Sequence, residues 1–250
     1  MWGKLIKTRF TQTSLNVVAP IASSSQLELL KYLAIVAMLL DHTNKIMHFD
    51  LDWMSLVGRS AYPLFAFVLV YNYIHNTKDA LNYLSRLLIL GILSQAPYAM
   101  AFPAGIGNSA NIMFSLAAGL FGLIYLEYII NHAGRYDIRF RWMHSYLFML
   151  YFIFAGFIIS YMYFGLFMIF AFYFLMRFPS HQSFYWLAFF ILMLNLPSGA
   201  VIMSTSLLSL IIIALVLQVD VKIKRMNKMV FYIFYPIHLI VLLSLSYFLA

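Results

Sequence analysis

The chain has 250 residues, of which 64% are hydrophobic and only 10% are charged, and its mean hydropathy is +0.88. A soluble domain carries about 25% charged residues, and 8 acidic with 16 basic side chains cannot cover a core of this size, which excludes a water-soluble globular protein. The net charge of +8 is better explained by basic loops that orient membrane helices than by nucleic-acid binding.

The bilayer is therefore expected to be the main solvent of this chain. In lipid the backbone must satisfy its own hydrogen bonds, so only helices and closed barrels can span. The apolar runs here are long and continuous and do not alternate with polar residues, which excludes a barrel. The sequence thus predicts an all-α, polytopic transmembrane protein.

Residues 1–25 form a polar arm with three basic residues among its first nine. Because the arm lacks the continuous apolar stretch of a signal peptide, we expect it to stay in the cytoplasm. The three serines that end the arm are good N-cap residues for the helix that follows. Residues 26–250 are predicted to form a single transmembrane domain.

Nine apolar segments follow the arm, most of them long enough to cross a hydrocarbon core of about 30 Å. They are 27–48, 56–76, 81–101, 111–131, 144–160, 162–177, 183–198, 200–219 and 229–249. The stretch 144–177 is too long for one such helix and short for two. Gly156, Gly165 and the nearby Tyr161 and Tyr163 predict a tight turn in its middle, which gives about nine helices in total.

Positive charges are distributed unevenly among the connections. With the N-terminus inside, the inner connections carry Lys or Arg, whereas the outer connections near 102–110, 161 and 199 carry none. Only the first outer connection departs from this pattern, with Lys45 and Arg59. The positive-inside rule therefore predicts an N-terminus in the cytoplasm and a C-terminus outside.

Charged and polar residues mark the first segment, because a charge within the membrane is by default a functional-site hypothesis. Lys31 and His42 are eleven residues apart, so they share one helix face about 16 Å apart along the axis. This arrangement suits coenzyme A, with Lys31 binding phosphates and the pantetheine arm reaching His42. An imidazole titrates near neutral pH and can act as a general base. Taken singly, Lys31 could snorkel to the interface and His42 could be a core histidine.

The surroundings of His42 suggest one ion pair and no metal. Asp41 and Arg59 are expected at the same outer level, where they would pair and orient the helix; Lys45, one turn along from Asp41, is the alternative partner. Neighbouring helix positions diverge by about 100°, so Asp41 is not expected to orient the imidazole of His42. His42 and His48, six residues apart, lie on different faces, and the chain has no cysteine, so no metal site is predicted.

Three polar residues in other segments are further candidates. Arg86, near the inner end of the third segment, is a second ligand for CoA phosphates or simply one of the inner positive charges. Asn111 opens the fourth segment, and His238 lies near the middle of the last. Pro236 and His238 together favour a shaped pocket over lipid contact.

The spacing from Lys31 to the Asp41-His42 pair resembles the motif of the transmembrane acyltransferase superfamily. A finer resemblance is to the TraX family, the pilin acetylases of F-type conjugation systems. It rests on Gly58-Arg59 with Tyr62-Pro63-Leu64-Phe65-Ala66, on Asn111-Ile112-Met113-Phe114, and on Tyr235-Pro236-Ile237-His238. The similarity is dense over about 28–130 and 229–241, whereas the middle of the chain matches only in hydropathy. Gly58, Arg59 and Pro63 are expected to be structural or orienting residues.

This resemblance implies a multi-pass protein of the bacterial inner membrane that moves acetyl from acetyl-CoA, its cosubstrate, to the N-terminal amine of pilin. Lys31 and Arg86 would hold the CoA phosphates, and His42, beside Asp41, would act as general base in a transverse tunnel. Asn111 and His238 are candidate donors to the carbonyl oxyanion. Direct transfer and an acetyl-His42 intermediate both remain open.

Two alternative functions would be accompanied by other features of the protein. An O-acyltransferase of a cell-surface glycan would use the same chemistry on a hydroxyl, often with an extra soluble domain. A transporter would show inverted repeats and broken helices paired across two halves. The polar residues instead concentrate in the first four segments and the last, which favours the acetyltransferase.

Overall fold

The computed structural model describes residues 22–103, 109–132, 134, 137–196 and 199–249, so most of the basic arm lies outside the described residues. Eleven α-helices are described: α1 (Ser24–Ile46), α2 (Asp52–Gly58), α3 (Ala61–Tyr71), α4 (Ala80–Ala101), α5 (Ile112–His132), α6 (Ile138–Ile158), α7 (Met162–Arg177), α8 (His181–Met193), α9 (Ala200–Thr205), α10 (Leu208–Gln218) and α11 (Lys228–Leu249). Helix α3 continues into a π-helical turn at Asn72–Asn76.

The all-helical prediction is confirmed for this part of the chain, and each of the nine predicted apolar segments corresponds to a helix or to consecutive short helices. Helices α2, α3 and the π-turn make up the second segment, and α9 with α10 makes up the eighth. Among the described residues, five helical stretches are long and apolar enough to cross a membrane: Asp52–Asn76, Ala80–Ala101, Ile112–His132, Ala200–Gln218 and Tyr232–Leu249. The orientation of the two ends stays a prediction.

The start of α1 follows the expected serine cap. Ser23 Oγ accepts a hydrogen bond from the backbone N–H of Gln26, and the Gln26 side chain accepts one from the N–H of Ser23. This reciprocal capping box satisfies two N–H groups that the helix cannot use internally. The cap therefore fixes where α1 begins, seven residues before Lys31.

The predicted break inside 144–177 is confirmed as a turn between α6 and α7. A β-carbon on Gly156 would lie 2.2 Å from the Tyr163 ring, and one on Gly165 would lie 2.6 Å from the Tyr161 β-carbon. Ser160 donates hydrogen bonds from its backbone N–H and its hydroxyl to the carbonyl of Ala110. Gly156 and Gly165 thus leave room for the tyrosine side chains at the tight turn between α6 and α7. The hydrogen bonds of Ser160 attach this turn to the residue just before Asn111 and α5.

Helix α3 is the central helix of the protein. All eleven of its residues are buried, and it packs against α1, α5 and α7. Helix α11 in turn packs against α1 and α4. The first and last of the described helices, α1 and α11, are therefore in direct contact. Large apolar side chains on the outer faces of α4 and α11 are exposed, as expected for lipid-facing surfaces.

Candidate active site

Lys31 lies in a cavity of about 500 Å³ at one end of the helix bundle. Its ammonium lies 2.7 Å from the carboxylate of Glu28, whose side chain is only 4% exposed. Glu28 also accepts a hydrogen bond from the backbone N–H of Met226, in the connection between α10 and α11. This connection therefore forms one wall of the cavity, and Glu28 holds both the wall and Lys31 in place.

The cavity is rich in cations. Lys31, Lys78, Arg86 and Arg225 line it, against the two carboxylates of Glu28 and Asp79. The structure thus brings together Lys31 and Arg86, the two residues predicted to share the phosphates of one ligand. Sequence reasoning missed Lys78 and Arg225 as site residues, because it counted them only as inner positive charges.

The remaining lining changes from polar to apolar along the bundle. The apolar side chains include Phe65, Val68, Leu69, Leu87, Met113 and Leu116, and the polar ones include Asn72, Asn76, Thr77 and Asn82. Along α3 and its π-turn the lining extends from Asn76 to Phe65, which is eleven residues or about 16 Å. The cavity is therefore elongated, with a charged, polar mouth and an apolar inner end.

The cavity does not extend to His42 in this structure. Its lining on α1 ends at Lys31, and on α4 at Leu87. The cavity is therefore not the continuous tunnel from Lys31 to His42 that the sequence predicted. Outside the lining of the cavity, several buried hydroxyl groups of the described residues have no hydrogen-bond partner. They include those of Tyr62, Ser94 and Ser115.

At the other end of α1, His42 contacts His238 of α11. His42 Nδ1 lies 2.8 Å from His238 Nε2, and His238 Nδ1 lies 3.0 Å from the carbonyl oxygen of Phe234. The ring of Phe102 packs edge-on against His42, with 5.2 Å between centroids. The structure thus brings together the two histidines that the sequence assigned to different roles, 196 residues apart.

The expected ion pair between Asp41 and Arg59 is wrong. Asp41 Oδ2 pairs with Lys45 Nζ at 2.5 Å, and Arg59 Nη1 donates instead to the side-chain oxygen of Asn195 at 3.1 Å. The reason is local: Lys45 lies one turn from Asp41 on the same helix, whereas Arg59 follows the end of α2 and reaches the end of α8. Asp41 makes no hydrogen bond to His42, as the divergence of neighbouring helix positions predicts.

Asn111 is buried and its side chain is fully engaged, which contradicts its expected role as an oxyanion donor. Its Nδ2 donates to the carbonyl of Gly91 at 2.8 Å and to Oε1 of Gln95 at 2.9 Å. Its Oδ1 accepts from the backbone N–H of Met113 at 3.0 Å. Asn111 therefore caps α5 and ties it to α4, because an asparagine before a helix supplies the acceptor that the first turn lacks.

Gly58 and Pro63 are both buried near helix ends. A β-carbon on Gly58 would lie 2.4 Å from the β-carbon of Asp41, so only glycine allows α2 to end directly against α1. Pro63 is the third residue of α3, where its missing N–H disturbs no helical hydrogen bond.

Buried tyrosines around Asp41 and His238 were not anticipated. The rings of Tyr62 and Tyr161 stack at 3.9 Å, and the ring of Tyr235 lies 5.5 Å from His238. Tyr98 and Tyr161 both interact electrostatically with Asp41. No periodic signal in the sequence distinguishes these tyrosines from the many others. In the part of the chain that the structure describes, no group of three or more His, Asp or Glu comes together as metal ligands.

Comparisons with known proteins identify the family of the chain. The family described as TraX protein matches residues 26–246. Protein TraX of Escherichia coli strain K12 is 38% identical over 106 residues, which are 42% of this chain and 42% of that protein. A probable fimbrial assembly protein, FimC of serogroup H1 Dichelobacter nodosus, is 35% identical over 94 residues, 36% of this chain and 38% of that protein.

The matches to curated relatives are therefore partial, since the chain spans about two fifths of the length of those it matches. No solved structure gives a significant match to this chain.

Proposed function

Because this chain belongs to the TraX family, whose pattern covers residues 26–246, we propose that it is a membrane-embedded acetyltransferase that moves acetyl from acetyl-CoA to the N-terminal amine of a conjugative pilin. The observation that carries the proposal is the arrangement of α1. Near its start Lys31 lines a cationic cavity together with Arg86, and eleven residues later His42 contacts a second histidine.

From its mouth to its inner end, the lining of the cavity fits the parts of CoA in the order in which they follow one another in that molecule. Lys31, Arg86 and the two cations at the mouth match phosphate groups. Phe65, Leu87 and their apolar neighbours match the aliphatic portions of the pantetheine arm. Acetyl-CoA would supply the activated acetyl thioester.

Two buried hydroxyls without a hydrogen-bond partner lie outside the lining of the cavity and are a further point of fit. Ser115 belongs to the same turn of α5 as the lining residues Met113 and Leu116, and Ser94 lies seven residues, about 10 Å, beyond Leu87 on α4. A buried hydroxyl without a partner costs on the order of 1–3 kcal/mol. The pantetheine arm carries amides, which would satisfy such groups. We propose that the arm passes these hydroxyls on its way to His42.

His42 would act as the general base on the acceptor amine. Its imidazole is held by Phe102 and His238, so its ring is positioned before any substrate arrives. An α-amine has a pKa near 8, so removing its proton near neutral pH is a modest cost. With the predicted topology, Lys31 lies toward the cytoplasm, where acetyl-CoA is made, and His42 lies toward the side where the pilin N-terminus is exposed.

Two comparisons bear on the acceptor. The family name connects the chain with conjugation, and one relative is named as a probable fimbrial assembly protein. An acceptor that is a subunit of a pilus or fimbria would fit both names. This supports pilin over a glycan hydroxyl as the acceptor.

The test is the intact mass of an F-type pilin that is co-expressed with this protein. Wild type should add one acetyl group at the pilin N-terminus, His42→Ala should add none, and His181→Ala, which changes an exposed histidine at the start of α8, should behave as wild type. Membrane insertion of each variant is measured in parallel. An unchanged pilin mass with well-inserted wild type would reject pilin as the acceptor, and acetylation by His42→Ala would reject His42 as the base.

A further inference from the structure

The two histidines are joined by a hydrogen bond that lies in the plane of both rings. The ring planes are 8° apart, the centroids are 5.1 Å apart, and the facing nitrogens are 2.8 Å apart. The distance between centroids equals the sum of three distances: from each centroid to its facing nitrogen, and between the two nitrogens. This equality requires both centroids and both nitrogens to lie on one line. The rings therefore meet edge to edge, which is the best geometry for donation from one nitrogen to the other.

The carbonyl of Phe234 determines which histidine donates. A carbonyl oxygen can only accept, so His238 Nδ1, 3.0 Å away, must carry a hydrogen. In a neutral imidazole the second nitrogen is then an acceptor. His238 Nε2 therefore accepts from His42 Nδ1, and the second nitrogen of His42, Nε2, keeps its lone pair.

From this chain of contacts we infer that His238 is a positioning residue that holds His42 in the Nδ1–H tautomer, so that His42 Nε2 is the base. This inference rests on the proposed function, and it replaces the earlier expectation that His238 donates to an oxyanion. Neither nitrogen of His238 is available for that role, since one binds Phe234 and the other binds His42.

The packing keeps His238 in this orientation. His238 is 5% exposed, the Phe234 ring lies parallel to it at 5.0 Å, and the Tyr235 ring contacts it at 5.5 Å. Since both rings are contributed by the same turn of α11, the imidazole cannot rotate without moving them. The tautomer of His42 is thus set by residues that need not touch the substrate.

The hydrogen bond also acts during the reaction. His42 Nε2 takes the proton from the amine nitrogen as the N–C bond forms at the acetyl carbonyl. The resulting imidazolium is stabilised because its Nδ1–H donates to His238 Nε2 in a charge-assisted hydrogen bond. His42 Nε2 then returns the proton to the sulfur as the C–S bond breaks. A histidine acceptor here has the orienting role that a carboxylate has in a Ser-His-Asp triad.

Matched substitutions at His238 separate positioning from simple packing. His238→Gln keeps an oxygen acceptor that can reach the position of Nε2, whereas His238→Leu fills the space without an acceptor. We expect His238→Leu to lower kcat about 100-fold or more, within the range of general-base effects, with the KM for acetyl-CoA unchanged. His238→Gln should recover most of the lost kcat, and His181→Leu should have no effect. Equal activity of His238→Leu and wild type, or equal inactivity of the Leu and Gln variants when both are folded, would overturn the inference.

A second measurement needs no substrate, and so it stands apart from the proposed function. Nitrogen NMR of ¹⁵N-histidine-labelled protein in lipid nanodiscs reports which ring nitrogen carries the hydrogen. Wild type should show His42 as the Nδ1–H tautomer, assigned by its loss in His42→Ala, and His238→Leu should shift it toward a mixture. A His42 found as the Nε2–H tautomer in wild type would contradict the inference whatever reaction the protein catalyses.

Discussion

Gly58 lies directly against Asp41: a β-carbon added to Gly58 would be 2.4 Å from the β-carbon of Asp41. The end of α2 is thereby fixed against the part of α1 that carries Asp41 and His42. Close approach of two backbones at this point aligns α1 with α3, the buried helix that follows α2.

We predict that Gly58→Ala moves or destabilises this contact. Overpacking of this kind costs about 1–3 kcal/mol, so Tm should fall and acetyl transfer should fall with it. The control is Gly134→Ala, because a β-carbon on Gly134 would meet no atom within 4 Å. If Gly58→Ala retains wild-type Tm and activity, the contact does not position the site.

The cations of the cavity are expected to act through substrate affinity. Lys31→Gln and Arg86→Gln should each raise the KM for acetyl-CoA about 10- to 100-fold, because hydrogen bonds to charged groups are worth about 1.5–3 kcal/mol. Lys31→Gln also leaves the buried carboxylate of Glu28 without its closest cation, so Lys31→Arg, which keeps the charge, serves as the stability control. Lys224→Gln, an exposed cation in the connection next to Arg225, should leave KM unchanged. Steady-state kinetics with purified protein check these values.

Lys78 and Arg225 lie at the mouth of the cavity with the exposed polar residues. We expect them to contact the phosphate on the ribose of CoA, which lies at the end far from the thioester. Wild type should therefore prefer acetyl-CoA over its 3′-dephospho analogue, and Lys78→Gln with Arg225→Gln should reduce that preference. A preference that is the same in wild type and the double variant would assign these cations to another role.

Asn111→Ala separates capping from catalysis. Loss of a helix cap costs about 0.5–2 kcal/mol, and the carbonyl of Gly91 and Oε1 of Gln95 would each lose the hydrogen bond that Asn111 Nδ2 donates. Tm should fall, whereas kcat for the folded fraction should stay close to that of wild type. A large loss of kcat without a loss of Tm would restore Asn111 as an oxyanion donor.

The predicted orientation can be tested with reporters fused at two positions. A fusion after Ala250 should report outside, and a fusion in the connection between α7 and α8, near Arg177, should report inside, because basic connections remain in the cytoplasm. The reverse result at both positions would place Lys31 on the outer side, and acetyl-CoA could then not enter the cavity from the cytoplasm.

Much of the fold could be predicted because the bilayer imposes helices on long apolar runs. The serine cap of α1 and the break between α6 and α7 were also predictable, since caps and glycine turns are local features. The partners of Asp41 and Arg59 were predicted wrongly, because sequence reasoning estimated their depth in the membrane but not the direction of each side chain. Asn111 was misassigned for the same reason, since its partners on α4 are 16 to 20 residues away.

The sequence by itself determined that the chain is helical, that it lies in a membrane and that Lys31 and His42 share one helix face, because each of these follows from composition or from the period of a single helix. Tertiary structure alone decided that Arg86, Lys78 and Arg225 join Lys31 around one cavity and that His238 meets His42. These contacts join helices far apart in the chain, and their geometry depends on how α1, α4 and α11 pack. Which nitrogen of His42 is the base is therefore set by the carbonyl of Phe234, on a helix that begins 182 residues after α1 ends.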